Sequence, residues 1–295
     1  MRDEVELCVH GNDGQPPLIY LPGLHGDWTL VGSFRIAVAE RLRFVEVVYP
    51  RTTAWSLDDY AREIESALLA RGIANGWLLG ESFGSQIAWK MSERTALGEE
   101  SAAPAESSRA RPNFQTDGLI LAGGFVRHPV NWAVRLAGRV SRAVPLSIVK
   151  SCCCIYARYA KFRHRRAPET GANISEFVTR RTVAADRDAI AHRYPLMAQN
   201  DLRPIARRTR LPVFYLAGLV DPLVPWPFVR LWLRRHCPGY RGGKTIWGAD
   251  HNVLGTAPRP AAEQIVQWID SVREEQAATA SVIFGTATAK VSAPR

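Results

Sequence analysis

Between residues 77 and 94 the chain runs from an apolar stretch, Trp77-Leu78-Leu79-Gly80, through Gly80-Glu81-Ser82-Phe83-Gly84 into the helical segment GSQIAWKMSER. A buried strand that reverses into a helix over so few residues needs glycine where a Cβ would strike its neighbours. G-x-S-x-G alone arises in about one chain of this length in ten at average Gly and Ser usage. Its weight comes from the strand before it and the amphipathic helix after it. Such a turn lifts a serine hydroxyl above a sheet edge, and the helix N-terminus beneath it favours negative charge developing nearby.

Similar punctuation recurs along the chain. Leu18 to Leu21 is an apolar run ended by Pro22-Gly23, and Phe44 to Tyr49 is a β-branched and aromatic run stopped by Pro50. A helix is expected between them, over about Ser33 to Arg41. Ser56 reads as an N-cap with Asp58 and Asp59 in the first turn, and Gly72 as the stop of that helix. Further strands are expected at Gly118 to Ala122, Val213 to Ala217 and Lys244 to Trp247, and a last helix over about Pro258 to Val272. This alternation predicts an α/β fold: a mostly parallel central sheet with helices on both faces.

Three stretches interrupt the alternation. Residues 126–210 lie between two sheet strands, are too long for a simple crossover and read as an inserted helical cap. Residues 1–125 and 211–274 then form one discontinuous core. Residues 95–117, rich in Ala, Ser, Glu, Pro and Arg, are expected to be a flexible surface insertion. Residues 275–295 are expected to be a disordered tail.

A serine hydroxyl is a weak nucleophile and needs a base, which in turn needs an orienting acid. Asp221 follows the strand VFYLAG, and an acid there faces the crevice at the carboxyl ends of the strands. Asp201 and Asp250 are the competing acids. His251 lies in Gly248-Ala249-Asp250-His251-Asn252, between the next strand and the last helix. Of the seven histidines, His236 is the other that falls between Asp221 and the last helix. Backbone donors for a developing oxyanion are expected at Phe83 N–H, just after the serine, and at Leu24 N–H, in the loop after the first core strand. His25 reads either as a substrate contact or, with Asp27, as a brace of that loop. Glu81 reads either as a group that tunes His251 or as a solvated or backbone-bonded carboxylate.

These residues together resemble the α/β-hydrolase superfamily. PGLHGDW is similar to its oxyanion loop, GESFGS to its nucleophile elbow, GLVDPLVP to its acid loop and GADHNVL to its histidine loop. The resemblance spans about residues 18 to 270, excluding cap, insertion and tail. It implies Ser82 as nucleophile, His251 as general base and acid, Asp221 as its orienter, and the chain order serine, acid, histidine. Ser85, where many members carry a second glycine, is a departure. The implied activity is that of a serine hydrolase cleaving a carboxylic ester or related acyl bond through an acyl-enzyme. A thioesterase or acyltransferase, or an inactive binding protein that kept the pocket, are the alternatives. An aspartate nucleophile is absent from the elbow, which argues against dehalogenase and epoxide-hydrolase chemistry.

Composition narrows the remaining classes. Five cysteines, with Cys152, Cys153 and Cys154 adjacent, make no disulfide framework and no C-x-x-C zinc site. Neither metal nor organic cofactor is expected, and the cysteine triplet reads as small apolar packing. The charged start, MRDEVELCVHG, lacks the apolar run of a secretory leader, so a cytoplasmic protein is expected.

The net charge is +10, and its distribution is uneven. Residues 126–210 hold 18 basic residues against 5 acids, a surplus of 13, so the rest of the chain carries −3. With no nucleic-acid-binding motif, the expected partner is a small acyl substrate, of an anionic or lipid-like kind if the basic cap gathers it. Peripheral membrane contact through the cap is the other use of that charge. Within the cap, Trp132, Leu136 and Val140 form an apolar stripe expected to face the core, beside a basic stripe of Arg135, Arg139 and Arg142.

Overall fold

The computed structural model describes residues 4–101, 113–144, 148, 151, 154–155, 158 and 184–289. Lys150, Cys152, Cys153, Lys161, Arg163, Arg165, Arg166, Arg180, Arg181 and the core of the expected insertion lie outside them.

Seven strands form one sheet: β1 (Glu6–His10), β2 (Pro17–Leu21), β3 (Arg43–Val48), β4 (Asn75–Glu81), β5 (Gln115–Ala122), β6 (Val213–Gly218) and β7 (Tyr240–Ile246). Their order is β1-β3-β2-β4-β5-β6-β7, and all pairs are parallel except β1 with β3. The chain leaves β2 to one side for β3 and returns on the other for β4. This reversal opens a crevice at the carboxyl ends of β2 and β4.

Strands β2 to β6 are buried on both faces, as a sheet covered by helices requires. Along β2, Leu18 and Tyr20 face one core and Ile19 and Leu21 the other; Trp77 and Leu79 of β4 likewise oppose Leu78. The first core is covered by α1 (Gly32–Val38), α8 (Val253–Thr256) and α9 (Pro258–Ala289) through Phe34, Val38, Leu254, Ile265 and Ile269. The second is covered by α2 (Leu57–Ala70), α3 (Gly84–Ser101), α6 (Arg203–Arg208) and α7 (Trp226–His236) through Tyr60, Ile64, Trp89, Ile205 and Leu233. Ser56 caps α2 reciprocally with Asp59, and Gly72 ends the turn after it at φ +72°. Among the described residues no helix is long and apolar enough to cross a membrane.

Between β5 and β6, where a cap is expected, the described residues form α4 (Asn131–Ala143), α5 (Ala184–Gln199) and α6. Five expectations need correction. The edge strand β1 is additional; it pairs through half-buried residues and has no long apolar run to announce it. The boundaries of the expected insertion are too wide, because Thr95 is buried and donates to the Phe114 carbonyl (3.1 Å), and Thr116 already belongs to β5. The last helix continues through the expected tail as far as Ala289. Finally, Trp132, Leu136 and Val140 face outward at 71%, 50% and 48% exposure, because α4 turns Val134 and Gly138 toward α5 instead. Cys154 is likewise exposed rather than packed.

Candidate active site

Ser82 sits between β4 and α3 with φ +49°, a left-handed conformation that a side chain adopts only when its surroundings impose it. Its N–H donates to the Ala122 carbonyl (3.1 Å), and its carbonyl accepts from Ser85 N–H (3.0 Å), opening the first turn of α3. Gly84 fits where nothing larger would: a Cβ there would lie 2.1 Å from the Leu21 carbonyl oxygen. Ser85 ties the elbow to the start of the cap. Its hydroxyl donates to the Ser82 carbonyl (2.6 Å) and accepts from Phe125 N–H (2.9 Å).

Asp221 and His251 come from the loops after β6 and β7. His251 Nδ1 lies 2.8 Å from Asp221 Oδ2, and the other carboxylate oxygen accepts from the N–H groups of Leu223 (2.8 Å) and Val224 (2.9 Å). The Asp221 side chain is fully buried and that of His251 is 17% exposed. Burial pulls the His251 pKa down. The hydrogen bond and charge of Asp221, with Glu81 and Asp250 behind them, outweigh it and leave the pKa raised. Ala122-Gly123 connects this pair to the elbow: Ala122 accepts from Ser82, and a Cβ on Gly123 would lie 3.2 Å from His251 Nδ1.

The competing groups are engaged elsewhere. Asp201 is paired with Arg203 and Arg127, and Asp250 accepts from Asn252 N–H. His236 packs on Trp232 at the end of α7.

The loop after β2 runs alongside the serine. A Cβ on Gly23 would lie 3.5 Å from Ser82 Cβ. The turn is closed by Gly26 N–H to the Gly23 carbonyl (3.1 Å), and Tyr49 O–H donates to the Pro22 carbonyl (3.0 Å). Asp27 accepts from the Thr29 hydroxyl (2.6 Å) and N–H (3.1 Å), so it braces its own loop. Phe83, next to the serine, is fully buried against Tyr49 and Tyr60. Glu81 is not solvated. It is 3% exposed, accepts from Tyr20 O–H and Gly23 N–H, and lies 4.0 Å from His25 Nε2. Burial raises its pKa more than these bonds lower it.

Two neighbours escaped the sequence reading. Arg193 of α5 is 2% exposed and reaches the loop after β2. Its Nη1 donates to the Leu24 carbonyl (2.7 Å), its Nη2 to the Pro50 carbonyl (3.1 Å) and its Nε to Tyr60 Oη (3.3 Å). The guanidinium also lies 5.2 Å from the Tyr49 ring centroid, a cation–π distance. His128 is buried beside the acid loop, accepts from Val130 N–H (3.2 Å) and hydrogen-bonds to the Leu223 backbone. Burial, with some repulsion from His251, lowers its pKa.

Sequence comparison finds no matching family model and no matching curated protein. Solved structures do match over nearly the whole chain. A hydrolase from Pseudomonas aeruginosa PA01 superposes with a TM-score of 0.69 at 13% identity, covering 90% of this chain and 94% of that one. A thermophilic esterase from Thermogutta terrifontis gives 0.68 at 18%, covering 91% and 93%. The enol-lactonase from Burkholderia xenovorans LB400 gives 0.67 at 14%, covering 90% and 96%.

This is the α/β-hydrolase fold. Within it, Ser82, Asp221 and His251 occupy loops at the carboxyl ends of β4, β6 and β7, and the Pro22-Gly23-Leu24 loop follows β2.

Proposed function

We propose that the protein is a serine hydrolase acting on a carboxylic ester or a related acyl bond. The observation that carries this reading is the buried Asp221–His251 pair at 2.8 Å, linked through Gly123 and Ala122 to a serine held at φ +49°. The two hydrogen bonds from Leu223 and Val224 fix the Asp221 carboxylate, so its remaining oxygen holds Nδ1–H of His251 and leaves Nε2 as the base.

In the proposed reaction, His251 takes the Ser82 proton as Oγ adds to the acyl carbonyl. The N–H groups of Phe83 and Leu24 receive the oxyanion. His251 then passes the proton to the leaving oxygen. Water, deprotonated by the same imidazole, releases the acid and restores Ser82. Asp221 keeps its charge throughout and stabilises the imidazolium.

The esterase and the enol-lactonase among the similar structures support this class of bond. Ser82→Ala is expected to lower kcat on p-nitrophenyl esters by about 10⁴-fold or more, leaving only what the oxyanion donors and binding supply. It is also expected to abolish labelling by a fluorophosphonate probe. Undiminished turnover or labelling in the variant would overturn the reading. Faster product formation on adding an alcohol or thiol, without matching acid release, would identify an acyltransferase instead.

A further inference from the structure

The outward turn of α4 leaves an unusual helix face. The segment from Asn131 to Ala143 contains no acid. Its buried side packs on α5 through Val134 and Gly138, so closely that a Cβ on Gly138 would lie 2.9 Å from Tyr194 Cβ. Trp132, Leu136 and Val140 are each four residues apart, so each advances about 40° around the axis and the three fan over about 80°. Arg135, Arg139 and Arg142 occupy roughly the next 80° on one flank of that fan. All three are exposed, and no carboxylate among the described residues pairs with them. The exposed half of α4 is therefore one apolar strip and one cationic strip, side by side.

We propose that this face of α4 docks the protein on an anionic lipid surface. The tryptophan and aliphatic side chains would enter the boundary between headgroups and acyl chains, and the arginines would meet lipid phosphates. Charge complementarity selects this occupant. A second copy related by a twofold axis would set arginine strip near arginine strip with no acid to offset them. A nucleic acid would satisfy the arginines but gains nothing from the apolar fan. A groove of about 360 Å³ beneath Arg135, Arg139 and Arg142, floored by Val134, Pro195 and Ala198, gives a headgroup room to settle between α4 and α5.

The surface also adjoins the site. His128, two residues before the loop enters α4 at Val130, bonds to the backbone of Leu223 in the acid loop, where Leu223 and Val220 are 61% and 50% exposed. Docking through α4 would hold the acid loop against the same lipid surface.

The test uses the full chain and flotation with vesicles of phosphatidylcholine alone or mixed with phosphatidylglycerol. The protein is expected to float with the mixed vesicles only, less as salt rises. Replacing Arg135, Arg139 and Arg142 together by Gln should weaken partitioning on the order of a hundredfold and remove its salt dependence. Trp132→Ser with Leu136→Ser should weaken it while leaving the salt dependence in place. Brominated lipid should quench a fluorescence component present in the parent and missing from Trp132→Phe, a variant that keeps the fold. Hydrolysis of a short soluble ester and the melting midpoint should be unchanged in all variants, since none of these residues touches Ser82, Asp221 or His251. No flotation, equal flotation on both vesicle types, binding undiminished in both variant sets, or a stripe-dependent dimer in sedimentation velocity would each overturn the proposal.

Discussion

The loops at the carboxyl edge of the sheet and the helices of the cap were built under different constraints. At the sheet edge, the proposed chemistry would restrict both residue type and backbone. Ser82 needs its strained turn, Asp221 needs two backbone donors, and Gly84 needs the space that Leu21 leaves. In the cap, a helix need only bury one face, and nothing local says which. The periodicity of α4 separates an apolar strip from a basic one, yet the face packed on α5 is neither: Gly138 and Val134 permit a closer approach than Trp132 or Leu136 would. Amphipathicity tells that two faces differ, and packing distance decides which is covered.

The largest effect that separates the two regions is expected at the sheet edge. Asp221→Asn keeps the shape and the burial but reverses the polarity of the contact with His251 Nδ1. The amide favours the wrong imidazole tautomer and removes the charge that stabilises the imidazolium. We predict a fall in kcat of about 10⁴-fold with the fold retained. Steady-state ester hydrolysis and a thermal melt measure both. An unchanged kcat would transfer the orienting role to another acid, with Asp250 the first to examine.

A second, smaller effect crosses the boundary between the regions. Arg193 belongs to the cap by sequence and to the oxyanion loop by contact, through Leu24 and Pro50 carbonyls. Arg193→Met leaves both carbonyls unpaired under the cap, a loss of about 3 kcal/mol in stability for two charge-assisted hydrogen bonds. Because the Leu24 carbonyl no longer anchors the loop just past the Leu24 N–H, kcat should fall about tenfold with KM changing less, which corresponds to roughly 1.4 kcal/mol of lost transition-state stabilisation. Arg193→Lys should recover part of the stability and little of the rate, since an ammonium cannot fork to two carbonyls. A destabilised variant with normal kcat would confine Arg193 to holding the cap in place.

What could be read from the sequence follows the same division. Strands β2 to β6, the capped α2 and the expected Ser82, Asp221 and His251 each carry a local signature: an apolar run, an N-cap, a glycine at a fixed offset. Arg193 carries none. It is one of 18 basic residues between 126 and 210, and α5 holds Pro195 inside it and shows no apolar stripe to orient it. The edge strand β1 was missed because half-buried residues alternate too weakly to stand out. The limits of the 95–117 segment were misjudged because polar Thr95 and Thr116 bond to one another in the interior (3.1 Å), where polarity had suggested surface. Burial of a polar group is decided by a partner distant in sequence, and composition does not name partners.

Glu81 lies within the legible motif but behaves like the illegible region, and it sharpens the contrast with the smallest of these effects. Its neighbours in the sequence announce an elbow, while its own role depends on Tyr20, Gly23 and His25 from β2 and the loop after it. Tyr20 is buried and its hydroxyl holds its proton far above the usual range, so it remains a donor to the carboxylate. Glu81→Gln can keep that bond and the shape while removing one negative charge from the surroundings of His251. The base in acyl transfer must be neutral, so kcat/KM climbs as pH rises through the His251 pKa. Negative charge on Glu81 helps hold that pKa up. Without it the imidazole loses its proton at lower pH, and the acidic limb of the profile should move to lower pH with the plateau nearly unchanged. The shift should resist added salt, because the charge lies behind the site and out of water. An acidic limb that stays in place would mean that Glu81, whose own pKa burial has raised, is already protonated where His251 titrates. It would then serve the elbow as a hydrogen-bonding brace rather than as a charge.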